Sequence, residues 1–179
     1  MTPVTTETIL GLPAATYTLI HVLISLVGIA SGFVVLFGMI GGKRLDGMTA
    51  LFLTTTVLTS VTGLGFPNDH ITPGIKLGIL SLIALAIAIL ARYALRLAGP
   101  WRTTYVITSA IALYFNVFVL VVQSFEKIPA LKALAPTQKE PPFAIAQGLV
   151  LVAFIVLMIL AVKGFRGGTV ATIRPDRAA

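Results

Sequence analysis

The side chains in this sequence that could most readily do chemistry are its two histidines, His21 and His70. Neutral imidazoles with a carboxylate can ligate zinc, copper or iron, and two imidazoles can hold a haem axially. Asp69 directly precedes His70 and would supply the carboxylate. The pattern therefore allows a metal site at His21, His70 and Asp69, or a haem between the histidines. A structural or pH-responsive histidine pair without any cofactor is the interpretation that the sequence favours.

The elements that must position these side chains are long apolar segments. Between Glu7 and Lys43 the chain runs 35 residues without a charge, and about 20 apolar residues cross a bilayer as a helix. Charged residues make up only 11% of the sequence. The pattern predicts an all-α, single-domain integral membrane bundle of five transmembrane helices, followed by a loosely ordered tail over 164–179. The predicted spans are 17–40, 49–66, 75–98, 103–125 and 143–162.

The third predicted span has a charge-free stretch of only 15 residues, Leu77–Ala91. Lys76 and Arg92 flank this stretch, and such side chains can extend their charged ends outward to the headgroups. We therefore expect the charged ends of both residues at the membrane surfaces.

The distribution of Lys and Arg predicts the orientation. With the N-terminus outside and the C-terminus inside, nine of the 13 basic residues, including every arginine, fall on the cytoplasmic side, as the positive-inside rule requires. The net charge of +7 is then a topology signal and not a nucleic-acid site. A polybasic lipid site is the weaker interpretation, because no tight cluster of about 4–8 basic residues occurs in the sequence.

Small residues predict how the helices pack, since lipid provides no hydrophobic drive between spans. Gly28-x-x-x-Gly32 in the first span would permit a close approach. The third span has four small residues in line on one face, namely Ser81, Ala84, Ala88 and Ala91.

Polar residues within the spans allow two interpretations. Thr55 and Thr59 of the second span can bond to their own helix, or they can line a conduit for a small solute that Asn116 would face. Asn116 near mid-membrane is costly unless paired, so cross-helix bonding is the favoured role. Gln123 and Gln147 are expected near the level of the histidines.

The absences narrow the class of function. The chain has no cysteine, which excludes thiolate metal sites and iron–sulfur clusters. All carboxylates, Asp46 included, fall outside the predicted spans, which weighs against proton-coupled carriers and cation channels. Phosphate-loop, dinucleotide and hydrolase motifs are also missing, so an enzyme is not favoured.

The longest predicted connection, Glu126–Pro142, lies on the outer side and is the surface expected to meet a partner. Its apolar residues recur at helical spacing, so a short amphipathic helix lying on the bilayer would give the same pattern.

Three segments resemble a family of uncharacterised small multi-pass proteins of the bacterial inner membrane. They are 41–56 (GGKRLDGMTALFLTTT), 59–67 (TSVTGLGFP) and 133–143 (ALAPTQKEPPF). The resemblance covers nearly the whole chain and implies that membrane as the location, but no activity. His21 and His70 alone carry a weaker likeness to small membrane proteins of the cytochrome b type.

Three functions follow as hypotheses. The leading one is a non-enzymatic accessory or interaction protein in the lipid bilayer, either within a larger membrane complex or as a homo-oligomer. The second is a metal- or haem-binding redox protein that uses His21 and His70. The third is a permeation pathway for a small solute along the threonine-rich second span.

Overall fold

The computed structural model describes residues 8–67 and 71–166. The predicted site residues Asp69 and His70, and the tail beyond Arg166, lie outside these ranges. Within them the chain is almost entirely helical. The helices are α1 (Ala14–Ile40), α2 (Asp46–Leu64), α3 (Pro73–Ile89), α4 (Trp101–Lys127), α5 (Pro129–Leu134) and α6 (Pro141–Arg166).

The prediction of five long apolar helices is confirmed, because the described residues contain five helices that are long and apolar enough to cross a membrane. The boundaries differ at several ends. α2 begins at Asp46, three residues before the predicted start, and α6 continues through Gly164 to Arg166. Asp46 is therefore the first residue of α2, which corrects the prediction that it lies in a loop. An aspartate there is favourable, since a carboxylate complements the helix dipole at the N-terminus.

The end of α3 departs furthest from the sequence prediction, which carried this helix to residue 98. The α-helix stops at Ile89 and continues as a π-helical turn, Leu90–Ala94. The chain then reverses: the amide of Leu97 donates to the carbonyl of Ala91 at 2.9 Å, and both Arg96 and Leu97 adopt positive φ. A helix cannot continue through two such residues.

A β-hairpin and the short helix α5 lie at the end of the bundle where α1 starts. Strands β1 (Thr8–Ile9) and β2 (Leu12–Pro13) pair antiparallel, which the sequence prediction did not contain. Leu10 and Gly11 between them both have positive φ, as a tight hairpin turn requires. α5 confirms a short helix within the Glu126–Pro142 connection; it packs against α4 and has no buried residue.

The five long helices form a closed ring. Going around it, α1 packs on α2, α2 on α3, α3 on α4, α4 on α6, and α6 on α1, while α4 also contacts α1 across the centre. α4 is consequently the most buried helix and α6 the least: 39% and 11% of the residues in their most apolar stretches are buried.

Two glycines of α1 make close contacts with neighbouring helices, which confirms the Gly28-x-x-x-Gly32 prediction. A Cβ on Gly28 would lie 3.2 Å from the hydroxyl of Thr55, and one on Gly32 would lie 2.5 Å from Leu113 and 2.9 Å from the ring of Phe52. Only residues without a side chain allow α2 and α4 to approach α1 so closely.

The small-residue face of α3 is also confirmed, since all four of its members are buried. A contact that the sequence did not indicate lies at the far end of α6. There Gly164 rests directly against the carbonyl of Ile40, where any Cβ would overlap backbone atoms. This glycine allows the last turn of α6 to touch the end of α1.

We predict that Gly32→Ala lowers the free energy of unfolding by about 1–3 kcal/mol, the usual effect of overpacking a filled interior. The matched control is Gly148→Ala in α6, where a Cβ would meet no atom within 4 Å. Unfolding of both variants in mixed micelles of mild detergent and dodecyl sulfate gives the comparison. Equal stabilities of the two variants would contradict the tight contact.

Candidate functional site

His21 lies in the second turn of α1 and contacts the end of α2. Its Nδ1 is 2.8 Å from the hydroxyl of Thr62, and its ring meets that of Phe66 edge to face with centroids 5.2 Å apart. Tyr17, one turn earlier, donates its hydroxyl to the carbonyl of Thr62 at 2.8 Å and also packs on Phe66. These residues tie α1 to α2, and we call this end of the bundle the His21 end.

The hydrogen bonds around Thr62 bear on the tautomer of His21. The Thr62 hydroxyl has one hydrogen and lies within reach of both the carbonyl of Leu58, at 2.7 Å, and Nδ1 of His21, at 2.8 Å. When that hydrogen goes to Leu58, the oxygen accepts from His21 and Nδ1 carries the proton. The lone pair of Nε2 is then left for another partner, as in histidines that ligate metals.

The described residues do not by themselves complete a metal site around His21. No group of three or more His, Asp or Glu side chains within residues 8–67 and 71–166 is placed to hold a metal ion. Because His70 and Asp69 lie outside those ranges, the predicted metal or haem site stays a prediction.

The glutamines predicted near this level do not join His21. Gln123 is exposed on α4. Gln147 is buried on α6 and donates its amide to the carbonyl of Phe118 on α4 at 3.1 Å. Gln147 thus has the cross-helix role that the sequence analysis expected of Asn116.

The polar residues of the middle of the bundle are buried between helices. Thr55 donates its hydroxyl to the carbonyl of Leu51 at 2.7 Å, the intrahelical bond that the sequence suggested. The hydroxyl of Thr59 and the Nδ2 of Asn116 are buried, with no hydrogen-bond partner in the described part of the chain. The Thr59 hydroxyl and the Asn116 amide are therefore available for hydrogen bonding inside the bundle. Beside Thr55 the interior is filled, because Gly28 of α1 packs against its hydroxyl.

A charged cluster that the sequence analysis missed lies at the opposite end, which we call the Arg92 end. Arg92 is in the π-helical turn after α3, and its side chain is only 3% exposed. Its Nη2 forms an ion pair with the carboxylate of Asp46 and donates to the main-chain carbonyl of Arg44 at 3.3 Å. The expectation that Arg92 extends outward is therefore wrong, whereas Lys76 is exposed as expected.

The surroundings of Arg92 are aromatic and hydroxylic. Its Cζ lies 5.2 Å from the ring centroid of Tyr105 on α4, within the range of a cation–π interaction. The ring of Tyr105 is fully buried and packs 6.0 Å from that of Phe165 on α6. Thr49 and Ser109 lie beside the Tyr105 hydroxyl. Arg92 thus sits where α2, α3, α4 and α6 converge.

One donor of this cluster is unused. Nη1 of Arg92 is buried without a hydrogen-bond partner among the described residues, whereas the hydroxyl of Tyr105 faces those of Thr49 and Ser109. Burying such groups costs free energy unless they are paired. The contacts that the cluster does make are an ion pair, a cation–π contact and hydrogen bonds.

A signal in the sequence could have located Arg92. The buried face of α3 recurs at three- and four-residue steps through Ser81, Ala84, Ala88 and Ala91, and position 92 lies four residues beyond Ala88 on the same side. Continuing this periodicity places Arg92 inside, and Asp46 is the acidic residue nearest that end of the helix pair.

Comparisons with protein-family models, with curated proteins and with solved structures found no match to this chain. The resemblance to small inner-membrane proteins of bacteria therefore stays a prediction.

We predict that Asp46→Asn lowers the free energy of unfolding by roughly 1–3 kcal/mol, because it leaves the buried guanidinium without its counter-charge. The lower part of that range is expected, since the Asp46 side chain is 78% exposed and water compensates for part of the loss. Glu126→Gln is the matched control, because Glu126 forms an exposed pair with Lys127. Unfolding in mixed micelles measures both variants, and equal stabilities would contradict the role of the pair.

Proposed function

We propose that this chain is a non-enzymatic, multi-pass protein of the bacterial inner membrane that associates with another membrane protein through α6. The partner is a subunit of a larger membrane complex or a second copy of the chain. The observation that supports the proposal is the exposed face of α6, since this helix packs on α1 and α4 along one side only.

Gly148 makes the outer face of α6 different from an ordinary lipid-facing surface. Apolar side chains toward lipid are expected on every helix and indicate nothing by themselves. A glycine in the middle of a helix, however, costs about 0.5–1 kcal/mol relative to alanine. Gly28 and Gly32 offset that cost by admitting a neighbouring helix, whereas nothing lies within 4 Å of a Cβ at Gly148.

The residues around Gly148 fit a helix–helix interface. Ala144 stands one turn earlier and is exposed, as is Gly148 itself. Together they form the small-x-x-x-small pattern that lets transmembrane helices approach closely. Ile145, Leu149 and Val152 surround the pair and are each at least 60% exposed. A partner helix laid along this face would bury them.

The charges at the two ends of the bundle support the N-out, C-in orientation of the proposal. Within the described residues the Arg92 end carries seven basic residues: Lys43, Arg44, Arg92, Arg96, Arg102, Lys163 and Arg166. The His21 end carries four, all of them lysines: Lys76, Lys127, Lys132 and Lys139. The positive-inside rule assigns the Arg92 end to the cytoplasm.

We expect a photo-crosslinking residue at Val152 to give a protein adduct of defined mass in cell membranes. The mass distinguishes a second copy of the chain from another protein. The same residue at Ile83 of α3, which is also more than half exposed, is the control and should react with lipid only. Gly148→Leu should remove the adduct, because a bulky side chain blocks the close approach of a partner helix.

Two outcomes would contradict this function. One is an identical product pattern from positions 152 and 83. The other is a Soret band or a stoichiometric transition metal in the purified protein that His21→Ala abolishes, which would make the redox hypothesis the better one.

The orientation is tested with single cysteines, since the natural sequence has none. Ala133 on α5 at the His21 end and Gly47 at the Arg92 end are both exposed. A membrane-impermeant maleimide should label Ala133→Cys in intact cells, and Gly47→Cys only after the membrane is permeabilised. The reverse labelling pattern would invert the orientation.

A further inference from the structure

A groove runs along the outside of the bundle between α2 and α3. It has a volume of about 390 Å³, and its lining is apolar except for one threonine hydroxyl and one tyrosine ring. α2 supplies Ala50, Leu53, Thr54, Val57 and Leu58, and α3 with its π-helical turn supplies Ile89 and Tyr93. At about 1.5 Å per residue, the stretch from Ala50 to Leu58 is roughly 12 Å long. The groove is thus long and apolar enough to hold an elongated apolar group.

The ion pair of Arg92 lies at one end of this groove. Tyr93 of the lining directly follows Arg92, and Ala50 lies one helical turn after Asp46. The hydrogen bond from Arg92 to the carbonyl of Arg44 draws the α1–α2 connection against the end of α3. The main chain of Arg44 therefore meets Arg92, which directly precedes Tyr93 of the groove lining.

This end of the groove carries a surplus of positive charge. Lys43, Arg44 and Arg96 are exposed, and Arg92 is paired with Asp46. The ion pair leaves the three exposed cations without a carboxylate partner among the described side chains. The sequence shows no tight run of basic residues, but the fold brings the connection that carries Lys43 and Arg44 to the end of α3, where Arg92 and Arg96 lie. Basic pockets between transmembrane helices are typical binding sites for anionic lipid headgroups.

We propose that the α2–α3 groove binds an anionic phospholipid, with one acyl chain along the apolar lining and the phosphate at Lys43, Arg44 and Arg96. Charge complementarity selects the headgroup, because a zwitterionic lipid adds an ammonium to a region that is already positive. Tyr93 lies between the apolar lining and the basic end, the position that amphipathic aromatic rings occupy at membrane interfaces. The proposal is independent of the function assigned to α6, which packs on α1 and α4.

The test is native mass spectrometry of the full chain in mild detergent, titrated with phosphatidylglycerol or phosphatidylethanolamine. We expect phosphatidylglycerol to bind more tightly. The double variant Arg44→Gln/Arg96→Gln should lower its affinity roughly thirtyfold, since each basic group near an anionic lipid contributes about one kcal/mol. Lys163→Gln is the control, because it removes a charge from the same end but on α6.

A second pair of variants tests the groove itself. Ala50→Phe should fill the groove and lower the affinity for phosphatidylglycerol, whereas Val61→Phe, on an exposed part of α2 away from the lining, should leave it unchanged. Thermal unfolding of each variant shows that it remains folded. Equal affinity for the two lipids would overturn the proposal. So would a loss of binding in the arginine variant with none in Ala50→Phe, because that result shows surface attraction without a site.

Discussion

The constraint on which the rest of the bundle depends is the need to pair the guanidinium of Arg92. A buried charge without a partner is very costly, and the carboxylate that meets it belongs to the first residue of α2. This pair brings the start of α2 to the end of α3. Tyr105 of α4 packs against the same guanidinium, and Phe165 of α6 packs against Tyr105. Once these contacts form, little freedom remains in how the four helices can slide past one another.

Small residues then decide how closely the helices approach between the two ends. Gly28 and Gly32 admit α2 and α4 against α1, and Gly164 lets α6 touch the end of α1. At the His21 end, Tyr17 and His21 both bond to Thr62. Polar contacts therefore hold the helices together at both ends of the bundle, while close packing around the glycines holds them together in its middle. This division suits a membrane, where polar bonds and close packing replace the hydrophobic effect.

The parts of this fold that could be predicted from sequence are those set by local pattern. Five apolar segments, the Gly28–Gly32 contact and the small-residue face of α3 all follow from composition and periodicity. The position of Arg92 beside an apolar segment does not place it, because Lys76 has the same setting and is exposed. The periodicity of the buried face of α3 puts Arg92 inside, whereas its pairing with Asp46 depends on the tertiary fold. The early end of α3 and the two-residue strands also depend on backbone turns that hydropathy does not register.

The contrast between a packed interior and an open exterior explains why both proposed binding sites, the face of α6 and the α2–α3 groove, lie on the outer surface. Inside, the helices around Gly28 and Gly32 are in contact, and Gln147 bonds across to α4. Movement of a solute through that interior would require the helices to separate against these contacts. Outside, α6 presents Gly148 with open space, and α2 and α3 leave a groove with a basic end. Because α6 packs on α1 and α4, a protein on α6 and a lipid between α2 and α3 would occupy different sides of the ring, so both can bind at once.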